Sequence, residues 1–320
     1  MPHIITLLLS CLLSISLFAG AVSASTQAGQ KAVLVTGASS GIGKQIALTL
    51  AERGFFVYAG ARKARDIEAL SAVANIQGIR LDVTLQDEID AAVNEISQGG
   101  RGLYGLVNNA GVFLFDPLIE VTERDMQFIM DVNVFGPYRV TKAFAPLLIE
   151  NQGRITTTGS IAGLFSGQLM GPYAMSKHAI EGFTDSLAAE LAKFDVQVSV
   201  VEPGNFRSDI MKNMQRRIAE IEDGERSSLY EDEIKRFASF TKADRSQQAA
   251  PIPVADAVYE FMTSETPKRR YLVAPNANEA HYAVSRALRR IVELNEGQLY
   301  SQSADDLARS FETLLLEGDR

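Results

Sequence analysis

The 320-residue chain contains no tryptophan, one cysteine and three histidines. The cysteine, Cys11, falls in an apolar stretch at the N-terminus. The rest of the chain is therefore left without a disulfide, a thiol nucleophile or a thiolate metal site. His3, His178 and His281 are too far apart to form a local metal-binding motif; no metal is expected, although distant carboxylates could still join one of them. Positive charge is in short supply as well. Thirty-one Lys and Arg against 39 Asp and Glu give a net charge of −8 and a pI near 5.1, which argues against a nucleic-acid surface. The two basic clusters, Lys268-Arg269-Arg270 and Arg286 with Arg289-Arg290, read as solvated faces.

Long hydrophobic runs are missing with one exception. Residues 4–22 carry no charge, and at about 19 residues they are just long enough to span a bilayer. Val22-Ser23-Ala24 supplies the small residues of a signal-peptidase site, so export with cleavage after Ala24 is one expectation. The preceding Met1-Pro2-His3 has no Lys or Arg, and the first basic residue, Lys31, follows the run. That arrangement favours an uncleaved anchor with the C-terminal side in the cytoplasm. A third outcome, a cytoplasmic protein, follows if translation starts further downstream. Residues 25–30 read as a polar spacer.

What is present is ordinary for a soluble globular protein: 46% hydrophobic and 22% charged residues. A region of roughly 250–290 residues suits one α/β domain with a large core. Short apolar, β-branched runs at 32–36, 55–59, 79–81, 106–108, 154–158, 196–201 and 270–273 alternate with longer helical patterns. Alternation of this kind predicts an α/β fold, a single Rossmann-type doubly wound parallel sheet with helices on both faces, over residues 31–275. In residues 173–194, Ile180, Phe183, Leu187, Leu191 and Phe194 recur at three- and four-residue steps and predict one buried helical stripe. Pro203-Gly204 ends the sixth strand. Residues 205–250 are charged and lack strand signals, predicting helical insertions and a mobile substrate lid. Residues 276–320 read as a helical C-terminal extension.

The first chemical signal is Thr36-Gly37-Ala38-Ser39-Ser40-Gly41-Ile42-Gly43, directly after the first strand and before an apolar helix. Glycines there permit a tight turn and close backbone approach to a pyrophosphate, which then sits at the helix N-terminus. Asn108-Asn109-Ala110-Gly111 follows the fourth strand, and Val132-Asn133-Val134 lies further on. Ser160 follows the fifth strand, Tyr173 comes thirteen residues later, and Lys177 completes a Tyr-x-x-x-Lys motif. Taken singly, a turn-forming serine, a tyrosine packing the helix start after Pro172 and a solvated lysine are the commoner explanations. The ordered set carries the signal.

That set resembles the short-chain dehydrogenase/reductase family, over about residues 31–275. Tyr173 and Lys177, four apart, share one helix face. A phenol with a pKa of about 10 is a poor base at neutral pH; a nearby ammonium and a positive nicotinamide ring favour the phenolate. Tyr173 can then take a proton from an alcohol, or return one to a carbonyl, while hydride moves to or from the cofactor. Ser160 supplies a hydroxyl to the substrate oxygen. The resemblance further implies that Lys177 grips the nicotinamide ribose and that Asn133 holds a water linking Lys177 to solvent. It places Asn109, Ala110 and Gly111 along the adenosine side, Asp82 with Val83 at the adenine, and Pro203-Gly204 beside the nicotinamide. Ser208 stands where the family usually has a threonine for the carboxamide, and Phe206 departs from the usual small aliphatic residue.

At the end of the second strand, Ala61 occupies the place of the acidic residue that holds both ribose hydroxyls in NAD-preferring members, and Arg62-Lys63 follow. A guanidinium suits a 2′-phosphate, so NADP(H) is the expected cofactor and NAD(H) the less favoured one. The stretch 257–275 resembles the retinol and 17β-hydroxysteroid dehydrogenase branch, which implies a lipophilic small-molecule alcohol or carbonyl. Phe113, Phe115, Leu164, Phe165 and Met170 are candidate pocket walls. The family further implies a homodimer or homotetramer built on helices near residues 117–150 and 173–194. Two other readings stay open: a non-catalytic NADP(H)-binding redox sensor, and an enzyme of the same family acting on carbonyl-thioester or sugar substrates.

Overall fold

Seven short runs of small and β-branched residues pair into one parallel sheet in a computed structural model that describes residues 29–208, 227–242 and 248–317. The strands are β1 (Ala32–Val35), β2 (Phe56–Ala61), β3 (Ile76–Arg80), β4 (Gly105–Asn108), β5 (Arg154–Thr158), β6 (Gln197–Pro203) and β7 (Arg270–Val273). Their order is β3-β2-β1-β4-β5-β6-β7. Consecutive strands β1 and β2 extend the sheet one way and β4 onward the other, so the order reverses between β1 and β4. Ligands of doubly wound sheets bind in the crevice at such a point, beyond the C-terminal strand ends.

Alternation along each strand feeds two cores. Val33, Val35, Val57 and Ala59 point to one face, where α1 (Gly41–Glu52) and α8 (Ile252–Thr263) contribute Ile46, Leu50, Val254 and Phe261. Leu34, Tyr58, Leu106 and Ile155 point to the other, covered by α3 (Gln86–Gln98), α5 (Gly136–Glu150) and α6 (Gly171–Leu191) through Ile89, Val140, Phe144 and Ala188. The remaining helices are α2 (Ala64–Ser71), α4 (Glu123–Met130), α7 (Glu231–Lys242), α9 (Ala277–Asn295) and α10 (Ala304–Glu317).

β5 and β7 match the predicted runs residue for residue. β3 begins three residues earlier than expected and stops before Leu81, because Gln77 and Gly78 interrupt the apolar run while pairing with Tyr58 and Ala59 still holds them in the ladder. The predicted stripe on α6 also needs correction. Phe183 and Leu187 are only half-buried, and Phe194 is 38% exposed in a 3₁₀ turn after the helix. The buried face instead carries Tyr173, Ser176, Lys177, Ile180, Thr184, Ala188 and Leu191. Ile180 and Leu191 are buried as expected; Phe183, Leu187 and Phe194 drew the stripe aside because the second half of the buried face is held by the small residues Thr184 and Ala188.

Part of the expected lid is helical, as α7, and the C-terminal extension is two helices. The leader, most of the spacer and lid residues 209–226 and 243–247 lie outside the described residues. Among the described residues no helix is long and apolar enough to cross a membrane.

Helix α8 is anchored by Phe261, fully buried and edge-on to Tyr271 of β7. Phe261→Ala is expected to cost about 3–5 kcal/mol in chemical denaturation; a loss under about 1 kcal/mol would contradict this packing.

Candidate active site

The Gly-rich turn crosses from β1 to α1 at the reversal of strand order. Gly37 has φ 65° and Gly41 φ 55°, a region that side chains with a Cβ rarely adopt. A Cβ on Gly37 would stand 2.8 Å from the Ala110 Cα, and one on Gly43 would collide with the Asn109 amide and the Gly37 carbonyl. The turn is stapled to the end of β4. Thr36 Oγ1 accepts from the backbone N–H groups of Asn109 and Ala110, both at 3.0 Å. Asn109 Nδ2 donates to the carbonyls of Thr36 at 3.1 Å and Gly37 at 3.3 Å, and its Oδ1 accepts from Thr158 Oγ1 at 3.3 Å. Asn109 therefore joins the ends of β1, β4 and β5. Ser40 precedes α1 in an extended conformation and makes no side-chain cap, which leaves the first-turn N–H groups of α1 available to an anion. Ser39 and Ile42 are half-buried beside this opening.

Beyond β2 the charge is positive. Arg62 and Lys63 are exposed, and the Arg62 guanidinium lies 3.7 Å from the Asp82 carboxylate. Arg80 donates to the Arg62 carbonyl and pairs with Glu88 at 2.9 Å, fixing the backbone there. Burial acts to raise the Asp82 pKa, but hydrogen bonds from Thr84 and the Arg62 charge outweigh it and leave the carboxyl below its usual value. Val83 is buried against Gly136.

The catalytic candidates converge on the other side of the same crevice. Ser160 caps a short 3₁₀ turn after β5, its Oγ accepting from Ala162 N at 3.1 Å. Tyr173 enters from the first turn of α6, set by Pro172 at the helix start, and is 8% exposed. Lys177 Nζ lies 5.7 Å from the Tyr173 ring centre and donates to the Thr158 carbonyl at 2.7 Å. Burial pushes the Tyr173 phenol up to about 12, against the pull of its Ser160 hydrogen bond. Burial also pushes Lys177 down to about 8, with the Glu181 charge opposing. The expected lowering of the phenol by Lys177 does not appear among the protein's own groups: burial sets the direction, and the Ser160 hydrogen bond pulls the other way.

Asn133 sits in a π-helical turn (Asp131–Phe135) between α4 and α5. Its Oδ1 accepts from Val112 N at 2.8 Å, while Nδ2 donates to the Val112 carbonyl at 2.9 Å and to Ser176 Oγ at 3.0 Å. The side chain locks the chain after Gly111 to α6, and π turns are frequent at functional sites. Pro203 closes β6, and Gly204 N donates to the Val273 carbonyl at 2.8 Å. Phe206 is 3% exposed and joins the core with Val35, Val201 and Val254. Ser208 is half-buried and follows Arg207, whose N–H donates to the Ala249 carbonyl at 3.0 Å.

One contributor has no sequence signal. Glu279 of α9 accepts from Asn205 N at 2.5 Å, and Gly204 leaves room for its carboxylate. The C-terminal extension thereby braces the loop after β6 from 74 residues away. No local pattern could have shown it.

Above Tyr173 the walls are apolar. The Phe113 ring centre is 4.7 Å from that of Tyr173, and Phe115 stacks on Phe237 of α7 at 4.0 Å. Ile234 of α7, Leu169 and Met170 complete the cluster. Glu120 holds the segment before α7, accepting from Leu229 N at 2.8 Å and Ser228 Oγ at 2.7 Å. Leu164 is half-buried. Phe165 instead meets Tyr282 of α9 edge-on at 5.2 Å.

Comparison with known proteins agrees with this geometry. Residues 31–219 match the family model described as short chain dehydrogenase. The uncharacterized oxidoreductase YbbO of Escherichia coli is 35% identical over 76% of this chain and 86% of its own. Bovine mitochondrial D-beta-hydroxybutyrate dehydrogenase is 32% identical over 76% of each chain. Mouse retinol dehydrogenase 5 is 39% identical over 56% of this chain and 57% of its own. Among solved structures, a short-chain dehydrogenase from Streptomyces avermitilis superposes with a TM-score of 0.68 at 25% identity, covering 91% of this chain and 99% of that one. ElxO with NADP bound superposes with a TM-score of 0.63 at 26% identity, covering 79% and 99%. The chain belongs to the short-chain dehydrogenase/reductase family of oxidoreductases.

Proposed function

We propose that this protein is an NADP(H)-dependent oxidoreductase interconverting a lipophilic alcohol and its ketone or aldehyde, with Tyr173 as general acid and base. The carrying observation is the position of the Tyr173 hydroxyl, beside Ser160 and Lys177, under the apolar roof of Phe113, Phe115 and α7. NADP(H) fits the groups present: the close approach permitted by Gly37 and Gly43, the uncapped start of α1, and the exposed Arg62 and Lys63 beyond β2. Ala61 brings no carboxylate to repel a 2′-phosphate, and the NADP-bound state of ElxO supports the same choice.

The cofactor supplies or accepts hydride at the substrate carbon. Tyr173 donates its proton to the carbonyl oxygen in reduction and withdraws it in oxidation. Ser160 donates a hydrogen bond to that oxygen as negative charge builds there. Lys177, with its ammonium 5.7 Å from the Tyr173 ring centre, would hold the nicotinamide ribose when the cofactor is bound. The phenyl and aliphatic walls exclude water from the reacting atoms. The names of the relatives span a hydroxy acid and retinol; the roof of phenylalanines favours the lipophilic end of that range.

Assembly as a homodimer or homotetramer is supported by Phe128, Phe135, Tyr138 and Met175, half-exposed on α4, the π turn, α5 and α6. For the leader, the proposed fates are export with cleavage after Ala24, anchoring through residues 4–22, or a cytoplasmic protein if translation starts further downstream.

Residues 25–320 are expected to oxidise NADPH in preference to NADH with steroid, retinoid, aliphatic or aromatic carbonyls. Tyr173→Phe should lower kcat by roughly 10²–10⁴-fold while NADPH binding is retained. Tight NADPH binding with no turnover in the wild-type protein would instead favour a sensor, and a folded protein that binds neither cofactor would contradict the reading.

The Ala61→Asp, Arg62→Ala double variant should move the ratio of kcat/KM for NADPH over NADH towards NADH by about ten- to a hundredfold, the value of a charge-assisted hydrogen bond. An unchanged ratio would show that the phosphate is read elsewhere.

A further inference from the structure

A second cluster of titratable groups lies beneath the catalytic turn and takes no part in the steps above. Glu202, the residue before the Pro203-Gly204 turn, is 2% exposed. Glu181 lies one turn beyond Lys177 on α6, with its side chain 16% exposed. Glu202 interacts with Glu181, and each carboxyl keeps a buried oxygen, Oε1, without a donor. Arg270 of β7 places Nε 3.1 Å from Glu181 Oε2 and Nη2 2.8 Å from Asp185 Oδ2. Its cation is hydrogen-bonded to those two residues and acts on Glu202 only through its field. His178 and Lys177 are the remaining charged or titratable groups interacting with Glu181.

The position of this pair links two parts of the site. A Cβ on Gly159 would stand 3.4 Å from Glu181 Oε1, and one on Gly163 would stand 3.1 Å from it. These glycines bracket Ser160 and the 3₁₀ turn it caps, so the turn rests on the Glu181 carboxyl. On the other side Glu202 belongs to the strand that delivers the loop beside the nicotinamide. Two buried carboxylates in contact repel strongly, whereas one shared proton turns the contact into a charge-assisted hydrogen bond.

We propose that Glu181 and Glu202 form a proton-sharing carboxyl pair that positions the Ser160 turn against the end of β6, and that loss of the shared proton loosens the site and lowers turnover. The inference rests on reading the site as an alcohol/carbonyl oxidoreductase. Both glutamates are positioning residues, since neither touches the reacting atoms. Burial, then the charge of Glu181, pushes Glu202 from 4.5 up to about 7, with Arg270 opposing. The sign follows from linkage. An acid whose pKa is raised on folding binds more protons in the folded state between its two values. Stability is therefore greatest below the lower value and falls as pH rises through the higher one. The shared proton itself is lost, and positioning of the turn should weaken, as pH rises through the higher value.

The test compares full-length wild type with Glu202→Gln, whose amide donates to Glu181 at every pH. For carbonyl reduction with NADPH from pH 5.5 to pH 8.5, wild-type kcat is expected to fall about tenfold more than that of Glu202→Gln, with KM for NADPH within about twofold in both. Tyr173, pushed up to about 12, lies outside this range, whereas Lys177, pushed down to about 8 under the Glu181 charge, titrates inside it, so the thermal comparison decides for the shared proton. Parallel kcat profiles would overturn the proposal. Thermal unfolding across the same pH range needs no turnover: the wild-type Tm should drop with rising pH and the variant's should stay flatter, and equal slopes would overturn the shared proton. A flatter variant slope without carbonyl turnover in either protein would place the failure in the functional reading. If Glu202→Gln does not fold, Glu181→Gln carries the thermal comparison alone, since it removes the repulsion but also the charge that acts on Lys177.

Discussion

The site depends on the join between the ends of β1 and β4. Parallel strands on either side of the reversal send their chains to opposite faces of the sheet, which opens a crevice between them. Left to themselves, two strand ends and a glycine-rich turn would have ample conformational freedom. Thr36 and Asn109 remove it with hydrogen bonds across the crevice floor, and Ala110 and Gly43 leave no space for the turn to move inward. Asn109 also reaches Thr158, the residue whose carbonyl holds Lys177. The Gly-rich turn and the footing of Lys177 are therefore parts of one hydrogen-bonded structure.

Burial gives that structure its chemistry and works against both principal groups. Tyr173 is driven up to about 12 and Lys177 down to about 8 by the same desolvation. A phenol held protonated suits reduction directly, because it arrives at the carbonyl with its proton in place. Oxidation requires a lower value, and the positive charge of an oxidised nicotinamide ring would act in that direction. In the proposed mechanism, cofactor binding and acid–base function would be coupled through the low polarity of the walls formed by Phe113, Phe115 and α7.

Much of this was legible in the sequence, for identifiable reasons. Strands buried on both faces are written as continuous apolar runs, which is why β5 and β7 could be placed to the residue. Tyr173, Lys177, Ser160 and the Gly-rich turn are local patterns, and the fold brings them to one crevice. The failures occurred where distant pairing or polarity decided the outcome. β3 includes Gln77 and Gly78 because β2 pairs with them. The buried face of α6 was drawn aside to Phe183, Leu187 and Phe194 because the small residues Thr184 and Ala188 hold the second half of the true face. Asn133 was legible as a motif residue, but its π turn and its bonds to Val112 and Ser176 were not. Glu279, and the contact of Glu181 with Glu202, join segments far apart in the chain and leave no periodic trace.

The most direct test of the account is the pKa of Tyr173, read from phenolate absorbance as the difference between wild type and Tyr173→Phe, with and without NADP⁺. The account predicts a value near 12 for the protein alone and one below about 10 with NADP⁺. A Tyr173 that titrates at the same pH in both states would contradict the coupling of cofactor binding to the catalytic proton.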